Sequence, residues 1–444
     1  MKKFFKYFVI FLALGLVYTV YTNYPRLNLI TGFSAKSTAS IVFLADRTLE
    51  SVEEFDNNFP PITEGASSVD KVSKTTSAKV FGLKKRTAVY REGLGAVLVN
   101  DEYDENEPYL VPKRDKTPKA LPFPYGNLPQ KDTVFKNVDY NRINGAVDQA
   151  FDKNGDWNKK TRSLLVVYKD QIIAEQYADG FDENSLHLGW SMTKSVMSTV
   201  YGVLNEQGKM DVNSRAPIVE WQNDERAEIT INNLLQMNSG LDWVEDYFII
   251  SDVTKMLFLE SDMTKSAIEK PLVGKPNESW YYSSGTSNLL SGILRNQFDS
   301  RQAYLDFWYS DFIDRIGMHS MTVEADMAGN YVASSYAWAT ARDWAKFGLL
   351  YEHDGNWNGD QVLTAEWIDY ATTPTNTSNN TYGAQLWLNA NGKFPDAPRN
   401  MFYADGFQGQ HVFVLQDQDL VIVRTGLSDI DYNYIIKEVL ESIK

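Results

Sequence analysis

The sequence predicts an α+β chain: an antiparallel sheet flanked by helices, with a helical region inserted in its middle. Three observations carry this. A β-hairpin pattern, LLVVYKDQIIAEQY, lies early in the second third of the chain. A second hairpin pattern, HVFVL and LVIVRT around QDQD, lies near the C-terminus. Stretches with apolar residues at helical spacing flank both hairpins and fill the chain between them.

The elements follow in order. MKKFFKYFVIFLALGLVYTVYTNYP opens with Lys2, Lys3 and Lys6 before an uncharged apolar run from Tyr7 to about Thr22. That run is near the lower limit for spanning a bilayer, about 17 residues. No small-x-small cleavage site follows it, so an uncleaved anchor over residues 1–22 fits better than a secretory signal cleaved on release to the periplasm. The lysines stay cytoplasmic, which puts the remaining chain on the periplasmic side of the inner membrane. Residues 23–100 form an N-terminal extension with short strands expected at ASIVFLA (39–45) and RTAVYREGLGAVLV (86–99). The polar SSVDKVSKTTSAK between them reads as loop. Residues 101–130 hold an acidic run and then six prolines. Proline cannot donate to a ladder and restricts its predecessor, so this segment reads as a linker. The main domain is then 131–444. It starts with a helix, Ile143, Val147 and Phe151 on one stripe, and closes with another, Ile435, Ile436, Val439, Leu440 and Ile443.

Composition bounds the function. With 43% hydrophobic residues the 444-residue chain can bury a sizeable core. A net charge of −15 argues against a nucleic-acid partner. The chain has no cysteine, which excludes disulfides, thiolate catalysis and Cys-based zinc sites. Its four histidines, His187, His319, His353 and His411, show no i,i+4 pair, so no metal is expected. Asp354, Asn356, Asn358 and Gly359 match the opening of a calcium loop. Position 12 is Ala365 rather than the bidentate glutamate, so a polar hairpin turn is expected instead.

The chemistry centres on GWSMTKSV, residues 189–196. Met192, Val196, Val200, Val203 and Leu204 follow Ser191 at helical spacing, and Gly208 ends the pattern. Ser191 therefore sits at a helix N-terminus with Lys194 one turn on, over the same face. A lysine there loses hydration, which favours its neutral form, and a neutral amine can take the proton of a neighbouring hydroxyl. The helix N-terminus favours an oxyanion formed on attack. A helix cap with a snorkelling lysine explains the same four residues without chemistry. A second Ser-x-x-Lys, Ser68 to Lys71, has no apolar helix behind it and reads as solvated.

Two later segments decide between these readings. WYYSSGTSNLLSGIL, from Trp280, joins an aromatic run to a turn and an apolar helix. DGFQGQHVFV, from Asp405, places a Gly-x-x-Gly turn before a strand. In this order the motifs resemble the serine β-lactamase and penicillin-binding protein superfamily. The likeness is to its class C-like branch, with esterases, D-aminopeptidases and 6-aminohexanoate-dimer hydrolases, from about residue 135 to the C-terminus. ITINNLLQMNSGLDW and ATARDWAKFGLLYEHDG also resemble segments of this branch. The resemblance implies a β-lactamase/transpeptidase-like fold and a serine hydrolase of esters or amides that needs no cofactor. It makes Ser191 the acylated nucleophile, Lys194 its partner and Tyr282 the proton shuttle, with Tyr281 the competing tyrosine. The backbone N–H groups of Ser191 and Gln410 become the oxyanion hole, and Ser284, Phe407 and Gly409 line the substrate. The family often has asparagine where this chain has Ser284, and lysine or histidine where it has Phe407. Phe407 supplies no charge for a substrate carboxylate, so uncharged esters and amides are favoured over β-lactams. His411, close to the turn, is a further acid–base candidate. The alternative reading is a non-catalytic binding or sensor domain at the cell envelope that keeps the fold without turnover.

Overall fold

The computed structural model describes residues 2–153 and 156–444. The chain forms two compact units: Met1–Arg91 with Ala96–Asn106 and Val244–Ser261, and Glu92–Gly95 with Glu107–Trp243 and Asp262–Lys444.

In the first unit, the segment expected to anchor the chain is a 22-residue helix, α1 (Lys2–Asn23). Among the described residues no helix is long and apolar enough to cross a membrane. Three lysines near the start and polar residues at the end leave an apolar run of about 24 Å, against a hydrocarbon core of about 30 Å. The predicted strand over 39–45 is a correction: those residues mostly belong to helix α2 (Leu27–Phe43). Thr31, Gly32, Ala35, Thr38 and Ala39 give α2 a face of small residues that lets it pack closely on a sheet, and this burial overrides the local β propensity of Ile41 and Val42. That sheet has the order β1 (Gly65–Asp70), β2 (Thr75–Val80), β3 (Leu83–Arg91), β4 (Gly95–Val99). The predicted loop over the polar stretch is the second correction, since it forms β1 and β2. Thr76, Ala78 and Val80 alternate inward while Ser68 and Lys79 face out, so a sheet solvated on one face needs few apolar residues. Ser68 lies exposed on β1, solvated as expected. The helix Asp252–Leu259, drawn from the middle of the chain, completes this unit, and the Phe258 carbonyl accepts from Arg86 Nη1 at 2.6 Å. The boundaries expected at 100 and 130 therefore shift.

The second unit is built on a six-stranded antiparallel sheet. Helix α3 (Tyr140–Ala150) precedes the hairpin β5 (Thr161–Tyr168) and β6 (Gln171–Tyr177), whose turn residues Lys169 and Asp170 both have positive φ. After it come α4 (Met192–Glu206), α5 (Ser284–Arg295) and α6 (Ala341–Glu352). The chain returns through β7 (Trp387–Leu388), β8 (Phe402–Gly406), β9 (Gln410–Leu415) and β10 (Leu420–Gly426) to α7 (Tyr432–Ser442). The sheet order is β7-β8-β9-β10-β5-β6, so the early and late hairpins meet where β10 pairs with β5. Helices α3 and α7 cover one face, burying Ile143, Val147, Ile435, Ile436 and Val439 against Leu164, Val166, Phe413 and Ile422. Helix α6 covers the other face, close enough that a Cβ on Gly348 would lie 2.8 Å from Val412. The predicted polar hairpin is present, with Asn356–Trp357 paired to Asp360–Gln361 around positive-φ Asn358 and Gly359.

The proline-rich stretch is not a free linker. Arg114 inserts a guanidinium 3.8 Å from the Tyr309 ring and pairs with Asp314 at 2.6 Å, both side chains largely buried. A charge desolvated in this way holds its segment down only because it is paired and hydrogen-bonded.

Candidate active site

Helix α4 is buried on every side from Met192 to Leu204, as a helix through the middle of a unit must be. Its hydroxyls are satisfied: Ser195 Oγ donates to the Gln385 carbonyl at 2.7 Å and Ser198 Oγ to the Ala384 carbonyl at 2.9 Å. The turn into α4 is tight. Gly189 lies against the Trp344 ring with no room for a Cβ, and Trp190 has φ of 47°. A bulky residue in the left-handed region is strained, and such strain collects at functional turns. Ser191 is the N-cap, but its side chain makes no capping bond. The hydroxyl points instead to Lys194.

Lys194 is 1% exposed. Its Nζ lies 3.1 Å from Ser191 Oγ, 3.1 Å from Ser284 Oγ and 2.9 Å from the Ser334 carbonyl oxygen. The same nitrogen stands 4.8 Å from the centre of the Tyr282 ring. Tyr281, the competing tyrosine, is half exposed, and its backbone N–H is tied to the Met237 carbonyl at 2.8 Å. Ser283 and Ser284 separate by role. Ser283 caps α5, accepting from the Thr286 N–H at 3.0 Å, and Ser284 is fully buried beneath Lys194. Ser284, expected to line the substrate, is thus placed to hold the lysine.

The turn between β8 and β9 closes the opposite side. Gly406 packs on the Gly189 carbonyl so closely that a Cβ would collide with it. Phe407 is 46% exposed and sets its ring edge-on to Trp190, centroids 5.6 Å apart. Gln408 and Gly409 both have positive φ, and Gly409 faces Tyr432, Arg424 and the Ser428 carbonyl, where a side chain would not fit. The α-carbon of Gly409 therefore backs onto Arg424 and Tyr432. The Gln410 side chain turns inward and ties to Gly426, donating to its carbonyl at 2.6 Å and accepting from its N–H at 3.1 Å. Beyond Tyr282 runs an aromatic wall: Trp387 at 5.5 Å, Tyr382 at 6.0 Å and Trp280 at 6.4 Å from it.

His411 stands apart from this group. Its ring stacks on Phe413 at 4.8 Å and lies 4.2 Å from Tyr432, within the face covered by α3 and α7. Its Nε2 contacts Asp405 Oδ1 at 2.7 Å. Alternation along β9 sends it away from α4, so the acid–base role considered for it is corrected to a packing role. One group among the described residues could hold a metal ion, Asp170 with Glu352 and His353. His353 Nε2 lies 2.9 Å from Asp170 and 2.8 Å from Glu352. Burial alone would lower its pKa, but the two carboxylates prevail and raise it to about 10. The trio is thus explained as an ion-pair cluster tying the end of α6 to the β5–β6 turn. A cavity of about 690 Å³ lies along the proline-rich stretch, lined by Arg114, Lys119, Asp314, Arg315 and Lys346. It includes none of the site residues, and its arginines and Lys346 are paired with Asp314, Asp360 and Asp343.

Sequence reasoning missed three contributors. The Ser334 carbonyl carries no motif. Trp387 sits on a two-residue strand with no periodic signal. Arg424 did have a signal, a lone charge inside the apolar run LVIVRT.

A profile of the Beta-lactamase family matches residues 147–426. The 6-aminohexanoate-dimer hydrolase of Paenarthrobacter ureafaciens is 23% identical over 300 residues, covering 60% of this chain and 72% of that protein. Among solved structures, a penicillin-binding protein homolog from Caulobacter crescentus superposes with a TM-score of 0.55 at 14% identity, over 68% of this chain and 97% of its own. A D-stereospecific amidohydrolase from a Streptomyces species gives 0.51 at 15% identity, over 68% and 98%.

Proposed function

Since the chain belongs to the Beta-lactamase family and is a serine hydrolase, we propose that it cleaves uncharged esters or amides through an acyl-enzyme on Ser191. The observation that carries this is the 3.1 Å approach of Lys194 Nζ to Ser191 Oγ, inside a cage of acceptors. A neutral amine has two N–H bonds and one lone pair. Ser284 Oγ and the Ser334 carbonyl take the two hydrogens, which turns the lone pair toward the Ser191 hydroxyl. Ser191 Oγ attacks the substrate carbonyl and its proton passes to Lys194. The bond to the leaving alcohol or amine breaks, and that group departs with a proton relayed through Tyr282. Water then attacks the ester carbonyl on Ser191, the acyl–Oγ bond breaks, the carboxylic acid leaves and Oγ takes back a proton. The N–H groups of Ser191 and Gln410 stabilise the oxyanion in both halves.

Phe407 and Trp190 on one side, and Tyr282, Trp280 and Trp387 on the other, support an apolar acyl or leaving group. The P. ureafaciens relative, named for the hydrolysis of a 6-aminohexanoate dimer, supports amides within the same reading. The exposed Phe4, Phe5, Phe8 and Phe11 of α1 support attachment of the N-terminus to a membrane surface. The deciding experiment is incubation with a fluorophosphonate probe followed by peptide mapping. The label is expected on Ser191 and absent from Ser191→Ala. Folded protein that takes no label would favour the binding-module alternative.

A further inference from the structure

The Gln410 N–H shares its peptide group with the Gly409 carbonyl, and that carbonyl is gripped from behind. Arg424 Nη1 donates to it at 2.9 Å, and the Tyr432 hydroxyl lies 3.3 Å away. The same nitrogen donates to the Gln408 carbonyl at 3.2 Å. Nη2 reaches the Lys159 carbonyl at 2.6 Å and Thr161 Oγ1 at 2.8 Å, and Nε reaches Thr161 Oγ1 at 3.2 Å. The guanidinium is 1% exposed. Among the described residues its hydrogen bonds all run to neutral oxygens, and no carboxylate lies within ion-pair distance. A buried cation is costly to keep unless its position does something a neutral donor could not.

Its face is known from register. Arg424 on β10 stands directly opposite His411 on β9, so both project to the side of α3 and α7. Helix α4 contacts β8 and β9 from the other side, where Val412 meets α6. A trans peptide points its C=O and N–H in opposite directions. Fixing the Gly409 oxygen on the back face therefore aims the Gln410 N–H at the front face. A full positive charge on that oxygen also draws electron density through the amide, which makes the N–H a stronger donor.

We propose that Arg424 is a positioning residue for the oxyanion hole, fixing and polarising the Gly409–Gln410 peptide from the far side of the sheet. The inference rests on the reading of the Gln410 N–H as an oxyanion donor. An arginine serves here because its planar fork spans the turn and the start of β5 together, which a single ammonium cannot do.

The test compares wild type, Arg424→Met and Arg424→Lys as full chains. Active sites are counted with a fluorophosphonate, and ester kinetics and inhibition by phenylboronic acid are measured. The boronic acid adds to the serine hydroxyl and places a tetrahedral anion in the hole. Arg424→Met is expected to lower kcat per labelled site about 10- to 100-fold, with KM within about threefold of wild type. Boronate affinity should fall by the same factor. Arg424→Lys should lose about tenfold, since it keeps charge but not the fork. A structural role alone would lower the unfolding midpoint and the labelled fraction while leaving both per-site quantities unchanged, and that result overturns the proposal. If Arg424→Met does not fold, wild-type kcat and boronate affinity in Arg424→Lys overturn it equally. Wild type that takes no label at Ser191 overturns the hydrolase reading itself. Label at Ser191 with unchanged variants overturns only the role of Arg424.

Discussion

Ser284 and Phe407 stand where the family resemblance led one to expect an asparagine and a cation, and each shows how one side chain redirects a site. Ser284 is buried, and its hydroxyl holds Lys194 instead of meeting solvent. Ser284→Ala should lower kcat about tenfold or more, from the loss of a hydrogen bond that orients Lys194, with little change in KM. Steady-state kinetics on a p-nitrophenyl ester reads this directly. Lys194→Arg should cost about 10³-fold, because guanidinium cannot give up its proton near neutral pH. An active arginine variant would show that lysine acts only through its charge. Phe407 stands at the mouth of the site against Trp190. Phe407→His should shift preference toward carboxylate-bearing substrates such as penicillins by about tenfold in kcat/KM relative to an uncharged ester. Equal turnover of penicillin and ester by the wild type would remove the basis for this.

At the scale of elements, the β8–β9 turn and the end of α6 carry the strongest constraints. Gly409 has φ of 79°, and a Cβ there would lie 2.5 Å from Arg424 Nη1 and closer still to the Tyr432 hydroxyl. Gly409→Ala should destabilise the chain by about 1–3 kcal/mol, seen in a urea unfolding midpoint, and should reduce activity in the protein that remains folded. The His353 cluster makes a pH prediction. Its folded pKa, about 10, lies above the ordinary 6.5. The stabilisation from its ion pairs is therefore fully present below about pH 6.5 and is lost as pH rises through about 10. The midpoint difference between wild type and His353→Gln, measured from pH 6 to 10.5, should shrink toward the alkaline end. A constant difference would mean that the cluster does not hold the proton.

For the whole molecule, every residue assigned to the site falls within the unit that holds the six-stranded sheet. Helix α1 belongs to the other unit. Deleting residues 1–23 should therefore give a chain that leaves the membrane fraction and keeps kcat/KM within about threefold of the full chain. Phe4, Phe5, Phe8, Phe11 and Leu14 of the removed helix are exposed rather than packed in a core. Loss of activity on deletion would show that the N-terminal helix contributes to the site.

The sequence by itself determined what is local. Alternation and turn residues marked both hairpins of the main sheet. Helical spacing placed Ser191 and Lys194 one turn apart, while the choice of Tyr282 over Tyr281 came from the family resemblance of its Tyr-Ser-Ser run. The small-residue face of α2 and the polar strands β1 and β2 were misread because their state is set by what covers them, not by their own propensity. Tertiary structure decided which way residues face. Ser283 caps a helix while its neighbour Ser284 meets Lys194, a difference set by where α5 packs. His411 and Gln410 are adjacent in sequence, yet the alternation of β9 sends one to each face of the sheet. Arg424 reaches the back of the β8–β9 turn because β10 lies between β9 and β5 and so brings Thr161 and Gly409 to one guanidinium. Periodicity reports one element's faces, but only closure of the sheet fixes which face meets Ser191.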